Sequence, residues 1–129
     1  MGGQKAQVTM KGEPITLIGN SVEVGSKAPD FIVFDRDLSA VPYSSINGAP
    51  CVISSVVSLD TPVCDEQARR FNEEALKLSS DLNVYVISMD LPFAQQRWCG
   101  AAEVDRVQTF SDYRDASFGT SYGVLIKDL

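Results

Sequence analysis

The sequence predicts an α/β domain built on a parallel sheet. Two short β-branched runs, "CVISSVV" at 51–57 and "NVYVISMD" at 83–90, have the composition of strands, and stretches of helical spacing alternate with them. Strand–helix–strand alternation places such strands side by side and packs the helices on the sheet faces. A length of 129 residues suits a single domain, 1–129, large enough to bury a real core.

Taken in order, "AQVTMKGEPITLIGN" holds two short alternating runs around Gly12-Glu13, an N-terminal β-hairpin. "VEVGSKAPDF" is a turn-rich connector, and "FIVFD" at 31–35 a short strand. "LSAVPYSSINGAP" reads as loop with one helical turn. "CVISSVV" is expected to be a strand buried on both faces. A helix follows over about 62–79, its apolar stripe made by Ala68, Phe71, Ala75 and Leu78, with Arg69, Arg70, Glu73, Glu74 and Lys77 around it. "NVYVISMD" is a second buried strand, a helix starts at Pro92, and "VQTF" is a third strand. "DASFGTSYG" holds a short helix and "VLIKDL" begins another strand.

Composition narrows the chemistry. With 11 basic and 17 acidic residues the net charge is −6, and no basic block exists, which argues against nucleic acid or an anionic membrane as partner. There is no histidine, so histidine acid–base chemistry and histidine metal ligation are excluded. Cys51, Cys64 and Cys99 form no C-x-x-C pair, which leaves no zinc pattern. The apolar runs are far too short to span a bilayer, and "MGGQKAQVTMKGEP" lacks the apolar core of a secretory signal. A cytoplasmic location is expected, where cysteines stay reduced unless their chemistry is redox.

The stretch "DTPVCDEQARRF" concentrates the interest. A residue before proline is pushed out of the α region, which suits Thr61 as N-cap, and proline suits the first helical position. Cys64 is then the third helical residue. Free backbone N–H groups and the positive end of the helix dipole favour a thiolate there. The loop also sits at the C-terminal end of a parallel strand, where open α/β sheets place their sites. Position alone supports a half-buried packing cysteine equally well. Asp60, Asp65 and Glu66 oppose a thiolate, so an activated Cys64 needs a cation from elsewhere.

Three segments carry a resemblance: "SLDTPVCDEQARRFNEEA", "VISMDLPFAQQRWCGA" and "SDYRDASFGTSYGV". Together they resemble the thiol peroxidase subfamily of peroxiredoxins, atypical two-cysteine enzymes on a thioredoxin-like fold, from the hairpin to about Val124. The resemblance implies that Cys64 attacks the peroxide and that Thr61 binds thiolate and peroxide through its hydroxyl. It further implies that Cys99 resolves the intermediate and that Arg114 pairs with the thiolate. Read alone, Thr61 is a cap and Arg114 a surface residue paired with Asp112 or Asp115. The family pattern has a proline seven residues before the attacking cysteine, where this sequence has Val57. Cys51 is expected in the core without a role, and the Trp98 indole is expected to pack its helix down.

The implied reaction uses no metal or organic cofactor. Its substrates are hydrogen peroxide and organic hydroperoxides, and a thioredoxin-type protein is the reductant. A Cys64–Cys99 disulfide closes a loop of about 36 residues, worth roughly 3.8 kcal/mol in unfolded-chain entropy. Both cysteines lie in helices, so the helix ends carrying them are expected to unwind in each turnover. A homodimer is implied by the family alone. The alternative function is a peroxide sensor or redox relay that passes its disulfide to a target protein. The resemblance also implies some forty residues beyond Leu129, a strand pair and a helix, without which the expectation is an unpaired sheet edge and no stable, active monomer.

Overall fold

The computed structural model describes residues 3–46, 48–77, 82–104 and 106–129. Strands β1 (Gly3–Met10) and β2 (Glu13–Ile18) form the expected antiparallel hairpin. Lys11 and Gly12 join them with φ of 51° and 83°. Positive φ at both turn residues gives the twist that matches the paired strands.

Strand β3 (Ile32–Phe34) is followed by β4 (Ala40–Pro42), which the sequence reading assigned to loop. The Asp35 carboxylate accepts the backbone N–H groups of Asp37 and Ser39 at 2.9 and 3.0 Å, and Leu38 takes φ 63°. That side-chain turn folds the chain back so that β4 pairs antiparallel with β3. A strand of three residues ending in proline leaves no periodic signal, and it lies at the sheet edge, where a proline is tolerated. One 3-10 turn follows at Tyr43–Ser45.

The centre is β5 (Cys51–Ser55), α1 (Pro62–Lys77), β6 (Asn83–Ser88), α2 (Pro92–Ala102) and β7 (Val107–Ser111). β5 runs parallel to β6, and β6 to β7, in a sheet ordered β4-β3-β7-β6-β5. Successive right-handed crossovers in one direction across a sheet put both helices on one face. Side chains of β6 divide accordingly. Val84 and Val86 face Ala68 and Ala75 of α1 and Trp98 and Cys99 of α2, all buried. Tyr85 and Ile87 face the opposite side, with Phe31, Val33, Phe110 and the Phe118 of α3 (Ser117–Tyr122). The expected stripe of α1 is buried at Ala68 and Ala75 and partly buried at Phe71; Leu78 lies outside the described residues.

β5 departs from expectation. Among the described residues it is an edge strand, half-buried along Cys51, Val52 and Ile53, rather than a strand covered on both faces. An apolar β-branched run marks a strand, but the direction of the crossovers decides which strand is outermost. Finally β8 (Leu125–Ile126) pairs with β2 at Ile126↔Leu17, so "VLIKDL" does contain a strand, and it joins the hairpin sheet.

Candidate active site

α1 begins where the loop leaving β5 turns at Thr61. The first helical bond runs from the Asp65 N–H to the Thr61 carbonyl at 2.9 Å. The Thr61 hydroxyl donates to the Ser58 carbonyl at 2.6 Å, and the Thr61 N–H reaches the same carbonyl at 3.0 Å. Thr61 therefore starts the helix through its backbone, while its hydroxyl proton is held by the loop behind it rather than pointed outward as a donor. Its lone pairs remain to accept. The N–H groups of Val63 and Cys64 precede the first intrahelical bond and are capped by no side chain among the described residues. Cys64 itself is partly exposed.

The loop is tied down by a residue that sequence reasoning missed. The Asp90 carboxylate, after β6, accepts the Ser58 hydroxyl at 2.6 Å, the Leu59 N–H at 2.8 Å and the Ser88 hydroxyl at 2.8 Å. The Ser58 oxygen in turn accepts the Asp60 N–H at 3.1 Å. On the other side, the Ser111 hydroxyl at the end of β7 donates to the Asp90 carbonyl. The C-terminal ends of β5, β6 and β7 are thus stitched together through the loop that leads to Thr61 and the start of α1. Local spacing carries no signal for this, because Ser58 and Asp90 are 32 residues apart.

Cys99 has the opposite setting. It is 9% exposed in the core under α2, with its sulfur 3.9 Å from the Thr109 hydroxyl. Burial pushes its thiol pKa up, against smaller downward pulls from the Thr109 hydrogen bond and from Arg36. All three cysteines are free thiols in this structure. Between the helices, the Trp98 indole N–H donates to Asp65 at 2.6 Å, and Arg69 donates to both oxygens of the same carboxylate at 3.1 Å. The indole bond, and after it Arg69, hold the Asp65 carboxyl below its usual range against the upward effect of burial. One of the three acids thought to oppose a Cys64 thiolate is therefore matched by partners of its own.

Among the described residues no hydrogen bond joins Arg114 to Cys64. Its guanidinium lies 4.2 Å from the Phe34 ring centroid and donates to the Tyr113 hydroxyl at 2.9 Å. It forms no ion pair with Asp112 or Asp115 among the described residues. Asp112 is buried and accepts the N–H groups of Phe118 and Gly119 at 2.9 and 2.8 Å, closing the turn that carries Arg114. Burial raises the Asp112 pKa, and those backbone bonds pull against it. Cys51 is half-buried and packs against the second core, 3.9 Å from the Tyr43 hydroxyl. A cleft of about 520 Å³ opens beside Val57, Ser58 and Asp90, and none of the four proposed site residues lines it.

Comparison with known proteins fits this geometry. The family described as Redoxin matches residues 23–129. The thiol peroxidase of Bacillus subtilis (strain 168) is 55% identical over 124 residues, covering 96% of this chain and 74% of that protein. The thiol peroxidase of Staphylococcus saprophyticus is 50% identical over 124 residues, with the same two coverages, 96% and 74%. A crystal structure of a peroxiredoxin-like protein from Aquifex aeolicus superposes with a TM-score of 0.83 at 40% identity, covering 96% of this chain and 72% of that one. The class is therefore a redoxin with a thioredoxin-like α/β fold, as the sequence motifs implied. Within that class the chain belongs to the thiol peroxidase family of peroxiredoxins, and it is an enzyme of that kind.

No group of three or more Cys, Asp or Glu side chains among the described residues is arranged to hold a metal ion. No helix among them is long and apolar enough to cross a membrane.

Proposed function

We propose that the chain reduces hydroperoxides through Cys64 and Cys99 and is recycled by a thioredoxin-type dithiol protein. The supporting observation is the contrast between the two thiols. Cys64 is partly exposed among uncapped N–H groups at the head of α1, and Cys99 is shut in the core of the neighbouring helix. An attacking thiol needs access and stabilised charge; a resolving thiol needs protection until it is wanted.

The Cys64 thiolate attacks one oxygen of ROOH and the O–O bond breaks. ROH leaves after taking a proton, and Cys64 is oxidised to sulfenic acid. The Val63 and Cys64 N–H groups stabilise negative charge on the sulfur and on the departing oxygen. Thr61, its hydroxyl proton held by the Ser58 carbonyl, accepts a hydrogen bond from the peroxide O–H through a lone pair. Arg114 leaves the Phe34 and Tyr113 rings and supplies the cation, which its exposed stacking position permits. The Cys99 thiol then displaces water from the sulfenic acid to form the Cys64–Cys99 disulfide. Two electrons from a dithiol partner restore both thiols by exchange. This cycle suits the cytoplasm, where such a reductant is kept reduced.

Thioredoxin, thioredoxin reductase and NADPH supplied with cumene hydroperoxide test this reading. The expected result is many turnovers per chain, lost in Cys64→Ser. One turnover and then arrest, with the oxidised protein unable to draw electrons from thioredoxin, would overturn the recycling step and favour a sensor or relay.

A further inference from the structure

The short side-chain hydrogen bonds that tie α2 to the sheet lie in its first half, while its second half is held by the packing of Trp98 and Cys99 and the long sulfur contact from Cys99 to Thr109. The first turn is anchored by Pro92, fully buried, and by Gln95, 2% exposed. The Gln95 side-chain amide donates to the Ser88 hydroxyl at 3.0 Å and to the Phe110 carbonyl at 2.8 Å. The second half has weak intrinsic support. Gly100 lies inside the helix, directly after Cys99, where glycine disfavours helical backbone. The helix then ends on Glu103 in the left-handed region, φ 56°, a conformation that non-glycine residues adopt at a cost. The Cys99 carbonyl carries both terminal bonds, from the Glu103 and Val104 N–H groups. The polar tie joining this half of α2 to α1 is the bond from the Trp98 indole to Asp65, with the Arg69 guanidinium 5.7 Å from the centre of the indole ring.

The placement of that tie matters. Asp65 follows Cys64 and Trp98 precedes Cys99, so one hydrogen bond links the residues adjoining both thiols. Its acceptor is an ionised carboxylate oriented by Arg69, which makes it a charge-assisted bond. Bringing Cys99 to Cys64 requires the second half of α2 to leave its packing, and Trp98 cannot travel with it while bound to Asp65.

We propose that the Asp65–Trp98 hydrogen bond is a latch that sets the rate at which Cys99 is released to the Cys64 sulfenic acid, with Gln95 as the fixed pivot. The proposal rests on the reading of Cys99 as the resolving thiol. Asp65 and Trp98 act here as positioning residues and take no part in bond making. Holding the latch shut until Cys64 is oxidised keeps the buried thiol out of water, and its strength determines how long the sulfenic acid survives before resolution.

Single-turnover rapid mixing of the reduced full chain with hydrogen peroxide tests this, because the two steps separate kinetically. Sulfenic acid formation depends on peroxide concentration; disulfide formation is first order and does not. Acid quench and mass spectrometry count sulfenic acid and disulfide directly. Trp98→Phe keeps an aromatic ring in the core and loses the donor. It should accelerate the first-order step by about tenfold to a hundredfold, the range for one hydrogen bond to a charged acceptor, while leaving the peroxide-dependent step alone. Asp65→Ala should accelerate the first-order step by a similar factor, and Asp65→Asn, which retains a neutral acceptor, by less. A first-order rate unchanged or slowed in Trp98→Phe and Asp65→Ala would overturn the latch. Should the wild-type chain form no Cys64–Cys99 disulfide at all, the resolving role fails and the latch with it. A disulfide that forms at the wild-type rate in both variants sinks the latch alone.

Discussion

Replacing Asp90 by alanine should unseat the loop that presents Cys64, and the size of the loss follows from its contacts. The carboxylate accepts the Ser58 hydroxyl, the Leu59 N–H and the Ser88 hydroxyl at 2.6 to 2.8 Å. Hydrogen bonds to a charged acceptor contribute roughly 1.5–3 kcal/mol each, but three on one group are not additive. The two serine hydroxyls can turn to other acceptors or to water. Leu59 is only 3% exposed, so its N–H loses a partner that water replaces poorly, a cost of about 1–3 kcal/mol. A loss of about 3 kcal/mol is expected. For 129 residues unfolding with about 2.1 cal/mol/K per residue, this lowers Tm by roughly 10 °C. Calorimetry of the reduced protein measures it directly, and stopped-flow peroxide consumption should fall by tenfold or more, because Thr61 hangs from the Ser58 carbonyl. Asp90→Asn keeps one acceptor oxygen and should lose less than half as much. A Tm for Asp90→Ala within 2 °C of wild type would refute the reasoning that this carboxylate holds the loop.

Burial raises the Cys99 pKa, so the folded protein keeps that proton longer than the unfolded chain. The resulting stability is complete below the free-thiol value of about 8.5 and is lost as pH rises through the folded value. The urea midpoint of the reduced protein should therefore fall more steeply from pH 8 to 10 in wild type than in Cys99→Ser, and parallel curves would count against it. Arg114→Ala should slow the peroxide-dependent step by tenfold or more yet cost under about 1 kcal/mol of stability, the range for exposed cation–π contacts. An unchanged rate constant would reduce Arg114 to a ring-stacking surface residue. Cys51→Ser should leave turnover within twofold of wild type, as expected of a thiol packed beside Tyr43 against the second core; arrested turnover would reveal a redox role for it.

What could be read from sequence was what short-range chemistry encodes. The N-terminal hairpin, whose turn lies at Lys11-Gly12, one residue before the Gly12-Glu13 pair read from sequence, the Thr61-Pro62 helix start and the buried strand β6 each involve residues within a few positions of one another. β4 escaped because its signal is a side-chain turn at Asp35 rather than a periodic run. β5 was recognised as a strand, but its place at the edge is set by the crossovers and not by its residues. The site divides the same way. The Thr61–Cys64 helix start was legible from the residues themselves, but the proposed roles of Thr61, Cys99 and Arg114 come only through family resemblance. The two ties that organise the site, Asp90 with Ser58 and Asp65 with Trp98, span 32 and 33 residues, and nothing in either local sequence names its partner. A buried indole does demand an acceptor, so Trp98 could have been flagged as needing one, though not which.

The pairing of Cys64 with Cys99 is tested most directly by treating the fully reduced chain with one equivalent of peroxide, blocking remaining thiols, and mapping the peptides by mass spectrometry without reduction. The expected product is a single intramolecular disulfide joining Cys64 to Cys99, with Cys51 recovered in the blocked form. A disulfide that includes Cys51, or one that joins two chains, would contradict the assignment of Cys64 as attacking and Cys99 as resolving thiol.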